Sequence, residues 1–195
     1  MRLPISITDL AIWPMTKEET ATEAATYGTI IEFTNRFMSF TDTPKSQSGS
    51  ISGDGAVTNQ YYGKDGGELA LNIQRLVAAE RVSLYGEKKK TDDTTAMGKS
   101  DVIPYSAVAF TVENDDGTID LYKYSKVKLV EQAQSVEQKA ENGIKYSTAS
   151  LKGTYIFDRK NNEARYIKED MSPTTDAAEI AAWYANAEFT AYVSG

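Results

Sequence analysis

Cysteine and histidine are both absent from this 195-residue sequence. Without cysteine there is no disulfide, no thiolate metal site and no cysteine nucleophile. Without histidine the side chain best suited to proton transfer near neutral pH is missing, which excludes a Ser-His-Asp triad and ordinary zinc coordination. Only carboxylate, lysine and tyrosine chemistry stays formally open. Long apolar runs are missing as well, since no stretch approaches the roughly 18 residues that a membrane helix requires. The start of the chain, Met1-Arg2-Leu3-Pro4-Ile5-Ser6-Ile7-Thr8-Asp9, has no apolar core and does not read as a signal peptide. There is no Asn-x-Ser/Thr acceptor. The expectation is a chain made in the cytoplasm, with no membrane insertion.

Positive charge is also in deficit. Asp and Glu number 28 against 21 Lys and Arg, a formal charge of −7. Gripping nucleic acid takes clustered Lys and Arg, so tight phosphate binding is not expected. The first meaning of such a charge is solubility, although an acidic surface also suits a passage through which DNA slides without sticking. The length fits one domain over residues 1–195 that can bury a real core.

What is present reads mainly as β. Ile5, Ile7, Leu10 and Ile12 suggest a first strand. Residues 27–33 suggest a second, continued over 36–40 after a break at Asn35. Leu69, Leu71 and Ile73 alternate as in a strand with one buried face. Leu76, Ala79, Val82 and Tyr85 are spaced three apart with Gly86 to stop them, which predicts a short helix over 75–85. Residues 87–99 are charged and read as a loop.

Residues 102–113 and 118–130 form the clearest hairpin. Asn114-Asp115-Asp116-Gly117 supplies a turn that takes positive φ readily. A polar strand is expected over 133–139, a turn at Asn142-Gly143, a strand over 144–157, a third turn at Asn161-Asn162 and a return over 164–169. Ala177, Ile180, Trp183, Tyr184 and Ala187 make an apolar stripe at helical spacing, with Thr175 or Asp176 as N-cap and Glu179 in the first turn. Residues 189–193 suit a closing strand. The fold class expected is mainly β (α+β): an antiparallel β-sandwich or barrel-like domain with one or two short flanking helices. Its expected core anchors are Phe110, Leu121, Ile180 and Trp183.

Residues 41–67 stand apart. They hold Pro44 and six glycines, with isolated Ile51, Val57, Tyr61 and Tyr62. So long a structureless connection is uncommon inside a compact domain. It reads as a floppy insertion or as an arm that orders on a partner. As an arm, its contact residues would be Ser50, Ile51, Asp54, Val57, Tyr61 and Tyr62.

Motifs for chemistry fail one by one. Gly63-Lys64-Asp65-Gly66-Gly67 lacks the order of a P-loop and reads as a turn. Aligning Gly117 with the invariant glycine of a calcium loop puts Val112 and Lys123 at ligand positions, so that stretch is a hairpin turn. Asp92-Asp93 shows no flanking sign of burial and reads as solvated loop charge. Lys123, Lys126 and Lys128 beside Tyr122 and Tyr124 could bind single strands, but a snorkelling lysine face is the commoner arrangement. No catalytic, cofactor-binding or metal-binding residue is assigned.

Several pieces in order along nearly the whole chain carry a resemblance. They are Asp9-Leu10-Ala11-Ile12, Thr26-Tyr27-Gly28-Thr29, Gly98, and Ile103-Pro104-Tyr105-Ser106-Ala107-Val108-Ala109-Phe110. Then come Leu121-Tyr122-Lys123-Tyr124, Val127-Lys128-Leu129, the run Ser147-Thr148-Ala149-Ser150-Leu151-Lys152-Gly153-Thr154-Tyr155-Ile156, and Ala182-Trp183-Tyr184. In this order they resemble the major tail protein (tail-tube) family of siphovirus-type long-tailed bacteriophages.

The resemblance implies a β-sandwich subunit of the virion tail that is not an enzyme and uses no cofactor. Such subunits stack as hexameric rings into a tube, meet the tape measure, tail terminator and distal tail proteins, and let double-stranded DNA pass without specific binding. A lumen of net negative charge is expected. Two further readings stay open: the tube protein of a contractile or type VI-like injection system, and a β-sandwich binding or adhesion module of a tail. An enzyme using only carboxylates would need two of them across a cleft, and nothing locates such a pair.

Overall fold

The computed structural model describes residues 2–53, 56–132 and 148–188. The strand expected over 133–139, the Asn142-Gly143 turn, the closing strand over 189–193 and Asp54 lie outside the described residues. The architecture is mainly antiparallel β with two short helices, as the sequence pattern required.

The strands are β1 (Pro4–Lys17), β2 (Thr26–Tyr27), β3 (Ile31–Glu32), β4 (Phe37–Gly53) and β5 (Ala56–Ile73). Helix α1 (Ala78–Tyr85) follows, then β6 (Lys88–Lys89), β7 (Thr95–Ala96), β8 (Ser106–Asn114), β9 (Ile119–Glu131), β10 (Ala149–Tyr155), β11 (Arg165–Met171) and helix α2 (Ala177–Ala185). One sheet runs β2-β1-β8-β9-β10-β5-β4, with β3 on β1 and β11 on β9, while β6 and β7 make a separate small hairpin.

This sheet is coiled. Strand β4 lies four steps from β8 in the order, which in a flat sheet would be about 19 Å. Yet the Phe40 and Phe110 rings lie 4.5 Å apart, and Phe37 lies 5.5 Å from Phe110. The sheet therefore wraps around an interior filled by Leu10, Ile12, Leu69, Leu71, Ile73, Phe110, Val127, Leu129 and Leu151, with Leu84 and Tyr85 of α1 joining them. Gly86 ends α1 at φ +71, donating its N–H to Val82 O.

Bulges explain why the apolar spacing in the strands skips a step. In β1, Thr8 pairs Thr111 but Ala11 pairs Ala109, and the extra residue falls where Asp9 takes φ +55. Ile7, Leu10 and Ile12 all face inward as a result. In β9, Tyr124 pairs Val108 and Val127 pairs Ser106, which places Ser125 and Lys126 in a bulge. Tyr122 and Tyr124 point inward before it, and Val127 and Leu129 after it.

The opposite face of the central strands is covered by α2. Ala11, Trp13, Ala107 and Ala109 on one side and Ile119, Leu121 and Met171 on the other receive Ile180, Trp183 and Tyr184. Small residues on β1 and β8 let the helix sit close. The Tyr184 hydroxyl and Thr111 Oγ1 share a hydrogen bond at 2.6 Å. None of the helix residues is fully buried, so Ile180 and Trp183 lie in an outer layer over Leu121, whereas Phe110 sits in the interior.

Four expectations change. Residues 27–33 are two short strands rather than one, parted at Gly28. The Asn161-Asn162 turn exists, with Asn162 at φ +56, but β11 does not pair with β10. Both lie end to end along one edge of β9, β11 against 119–124 and β10 against 127–131. The Gly63–Gly67 stretch is a strand with a bulge and not a turn. Lys123 and Lys126 are buried instead of snorkelling, because α2 and the acidic residues after β1 cover them.

Candidate functional site

The described residues of the segment over 41–67 form a ribbon of β4 and β5. At its root a third strand supports it, and the last pairing with β10 is Gly67 with Tyr155. Beyond this point β4 and β5 pair only with each other, from Ser46–Lys64 to Gly53–Ala56. At ~3.3 Å per residue the free run over 46–53 reaches about 26 Å from the sheet. Serine and glycine dominate it, which is why its strand character is hard to read from composition.

The transition from sheet to free ribbon is a bulge. Pro44 pairs Gly67 and Ser46 pairs Lys64, so Asp65 and Gly66 oppose Lys45 alone. Gly66 takes φ +68, and a Cβ there would stand 2.1 Å from Tyr155 O. The bulge bends the ribbon where its support ends.

The root is pinned by a polar cluster drawn from four strands. Asp42 of β4 accepts hydrogen bonds from Tyr124 of β9 at 3.0 Å and Tyr155 of β10 at 2.8 Å, and pairs with Arg165 of β11. Burial, then the Asp42 charge, pushes the Tyr124 hydroxyl far up. The Tyr155 hydroxyl is pushed up to about 12 by burial and by its bond to Asp42. Both phenols are therefore neutral donors at physiological pH. On the outer face, Glu68 pairs with Lys45 at 2.7 Å and Lys152 at 3.0 Å. Those two ammonium groups hold its carboxyl down to about 2.

Along the free run Ser46, Gln47, Ser48, Gly49 and Ser50 are exposed. Tyr61 and Tyr62 are 72% and 68% exposed. Tyr61 pairs Gly49 across the ribbon, and its ring lies over the site a Gly63 Cβ would fill, 3.1 Å away. The expected contact residues fall as follows: Ser50 pairs Gln60, Ile51 pairs Asn59, Val57 pairs Ser52, and Tyr61 and Tyr62 pair Gly49 and Ser48.

A second open feature lies where the coiled sheet fails to close. β1 pairs β8 on one edge, and its other edge meets β3 and β2 only from Ala11 onward. Among the described residues the edge over 4–8 has no strand beside it, and β4 pairs only β5. A groove of about 670 Å³ runs between them, lined by Ile5, Ile7, Met38, Phe40 and Tyr122.

Among the described residues the carboxylates that the sequence singled out do not gather. Asp92 and Asp93 are exposed loop residues, with Asp93 paired to Lys89 at 2.6 Å. Among the described residues no three acid side chains form a metal cage. No helix of the described residues is long and apolar enough to cross a membrane. Lys123 donates to the carbonyls of Trp183 and Asn186 at 2.5 and 2.8 Å and lies over the Trp183 ring. It holds α2 by its C-terminal end, where a cation suits the helix dipole.

Sequence reading missed the Asp42 cluster, because its four members are spread over residues 42–165 and carry no local motif. No family model matches the chain, and no curated protein sequence matches it. Among solved structures, a chain of the cryo-EM structure of the anti-feeding prophage baseplate, six-fold symmetrised, is similar with a TM-score of 0.37 and 10% identity. The match covers 87% of this chain and 96% of that one. Likeness at this level carries no functional argument.

Proposed function

We propose that this chain is a structural subunit of a phage-type tail, which polymerises as stacked hexameric rings into the tube through which DNA passes. The observation that carries the reading is the β4–β5 ribbon. A lone two-stranded ribbon is at best marginally stable in water. Among the described residues no other strand lies along the outer edges of the free run, and an open strand edge templates pairing with another chain. Here it is bent by a bulge and pinned at its root by Asp42, an arrangement suited to reaching a neighbouring copy. The sequence resemblance to tail-tube proteins supports the same reading.

A contact between ribbon and body is heterologous, so repetition closes into a ring or continues as a filament according to its rotation. In this reading the subunit performs no catalysis and resides in the virion tail. The unclosed edges of β1 and β4 offer the complementary surface.

The test is negative-stain electron microscopy of the concentrated full chain beside a variant in which residues 47–63 are replaced by Asn-Gly. Ser46 and Lys64 are register partners, so a two-residue turn rejoins the strands. Hollow tubes or stacked six-fold rings from the parent, lost in a variant that still unfolds in one cooperative transition, support the reading. Tubes of normal length from the variant overturn the role of the ribbon. Persistent single-subunit particles from the parent, even with a tail initiator complex added, overturn the tube.

A further inference from the structure

We infer that the recess between Glu19 and Asp158 is a binding site for a hard divalent cation of the calcium class. The segment after β1 and the turn after β10 converge over the bulge of β9, enclosing a space of about 40 Å³ bordered by Glu19, Tyr27, Ser125, Asp158, Asn161 and Glu188. That is room for one ion or a few waters.

Two carboxylates in it are nearly inaccessible, Glu19 at 4% and Asp158 at 7% exposure. Each has one oxygen fully engaged. Glu19 Oε1 accepts from Lys126 Nζ at 2.7 Å and Arg159 N at 3.1 Å. Asp158 Oδ1 accepts from Lys160 N at 3.0 Å and Asn161 N at 2.5 Å. The second oxygen of each, Glu19 Oε2 and Asp158 Oδ2, is buried with no protein hydrogen-bond partner. A buried anionic oxygen left unpaired is costly, and two carried by residues that line one small space call for a shared positive partner.

The local charge points the same way. Glu18 shares the Lys126 ammonium with Glu19, at 3.0 and 2.7 Å. Glu188 adds a further carboxylate at the rim, and Lys160 is the other cation there. Burial, then the charges of Glu19, Glu188 and Asp158, pushes the Tyr27 hydroxyl far up, so that it offers a neutral oxygen. Every donor is oxygen, the set preferred by calcium and magnesium over softer metals. Carboxylates alone do not complete the shell, so neutral oxygens and water fill it, and affinity falls in the roughly 10⁻⁴–10⁻³ M class. Bound there, the ion would tie residues 18–27 and the 158–163 turn to β9.

The experiment is thermal melting of the EDTA-treated full chain with calcium chloride, against sodium chloride at matched ionic strength. At about a hundred times Kd the expected rise in Tm is about 5–10 °C. Asp158→Asn keeps an Oδ1 acceptor for the turn and should abolish the rise. Glu188→Gln alters an exposed side chain that no core contact needs and should raise the half-effective calcium concentration about fivefold, the scale of losing one rim charge. Terbium luminescence should titrate to one equivalent per chain and be displaced by calcium, which decides the matter if Asp158→Asn fails to fold. No rise in the parent, or an equal rise in both variants, overturns the site and leaves the recess to water.

Discussion

Gly67 and Tyr155 are register partners on β5 and β10, and a Cβ on Gly67 would stand 2.3 Å from the Tyr155 hydroxyl oxygen. That hydroxyl donates to Asp42, so the absence of a side chain at Gly67 is what lets the ribbon root lock. Gly67→Ala is expected to displace the Tyr155 ring and destabilise the fold by about 1–3 kcal/mol. Gly49→Ala, where a Cβ meets nothing within 4 Å, should stay within about 0.5 kcal/mol. Urea denaturation of the two variants checks the contrast, and equal midpoints would reject it.

Asp42→Asn tests the cluster itself. The amide keeps one acceptor oxygen where Tyr124 and Tyr155 use two, and the Arg165 guanidinium loses its counter-charge, for a cost of about 2 kcal/mol given partial exposure of the arginine. The sharper signature is spectroscopic. The Tyr155 hydroxyl is pushed up to about 12 by burial and then by Asp42, and without the Asp42 charge it should fall part of the way toward the ordinary ~10, burial holding the rest. An ultraviolet pH titration that finds no such fall removes Asp42 from this role.

Lys126 is 2% exposed between Glu18 and Glu19. Lys126→Met strands the Glu19 carboxylate in a buried site and should cost about 3 kcal/mol or more. Adding Glu19→Gln should recover part of that loss, because the stranded charge is what costs. A double-mutant cycle by chemical denaturation measures it. Strict additivity would mean that the pair is not coupled.

Acid should loosen the ribbon root. The Glu68 carboxyl is held down to about 2 by Lys45 and Lys152, against an ordinary value of about 4.3. A folded-state value below the unfolded one contributes stability that is present above the unfolded value and is lost as pH falls from about 4 to about 2. Hydrogen-exchange protection at the ribbon root, taken relative to the intrinsic exchange rate at each pH, should fall through this window in the parent. In Glu68→Gln protection should already be low at neutral pH and change less. High salt should mute the difference, since the ions are exposed.

Much of the fold was legible in local signals. Leu69, Leu71 and Ile73 predicted their strand, Asn114–Gly117 the hairpin between β8 and β9, and Gly86 the end of α1. Each is set by backbone torsion or by one-sided burial within a few residues. The ribbon was not legible as a strand, because Ser46–Gly53 owes its conformation to pairing with Ala56–Lys64 rather than to propensity. The Asp42 cluster and the Glu19–Asp158 recess were hidden for a related reason. The partners of Asp42 lie 82 to 123 residues from it, Glu19 and Asp158 are farther apart still, and they meet only because β4, β9, β10 and the segment after β1 converge.

By itself the sequence determined the β class, the places of both helices and the exclusion of histidine and cysteine chemistry, since these follow from composition and short-range periodicity. The coiling of the sheet around Phe110, the burial of Lys123 and Lys126 and the length of the free ribbon were decided by tertiary structure alone. Alternation says that a strand has an inner face, but bulges at Asp9 and at Ser125-Lys126 set which residues face in. Strand order, which sequence spacing does not encode, set which distant charges met.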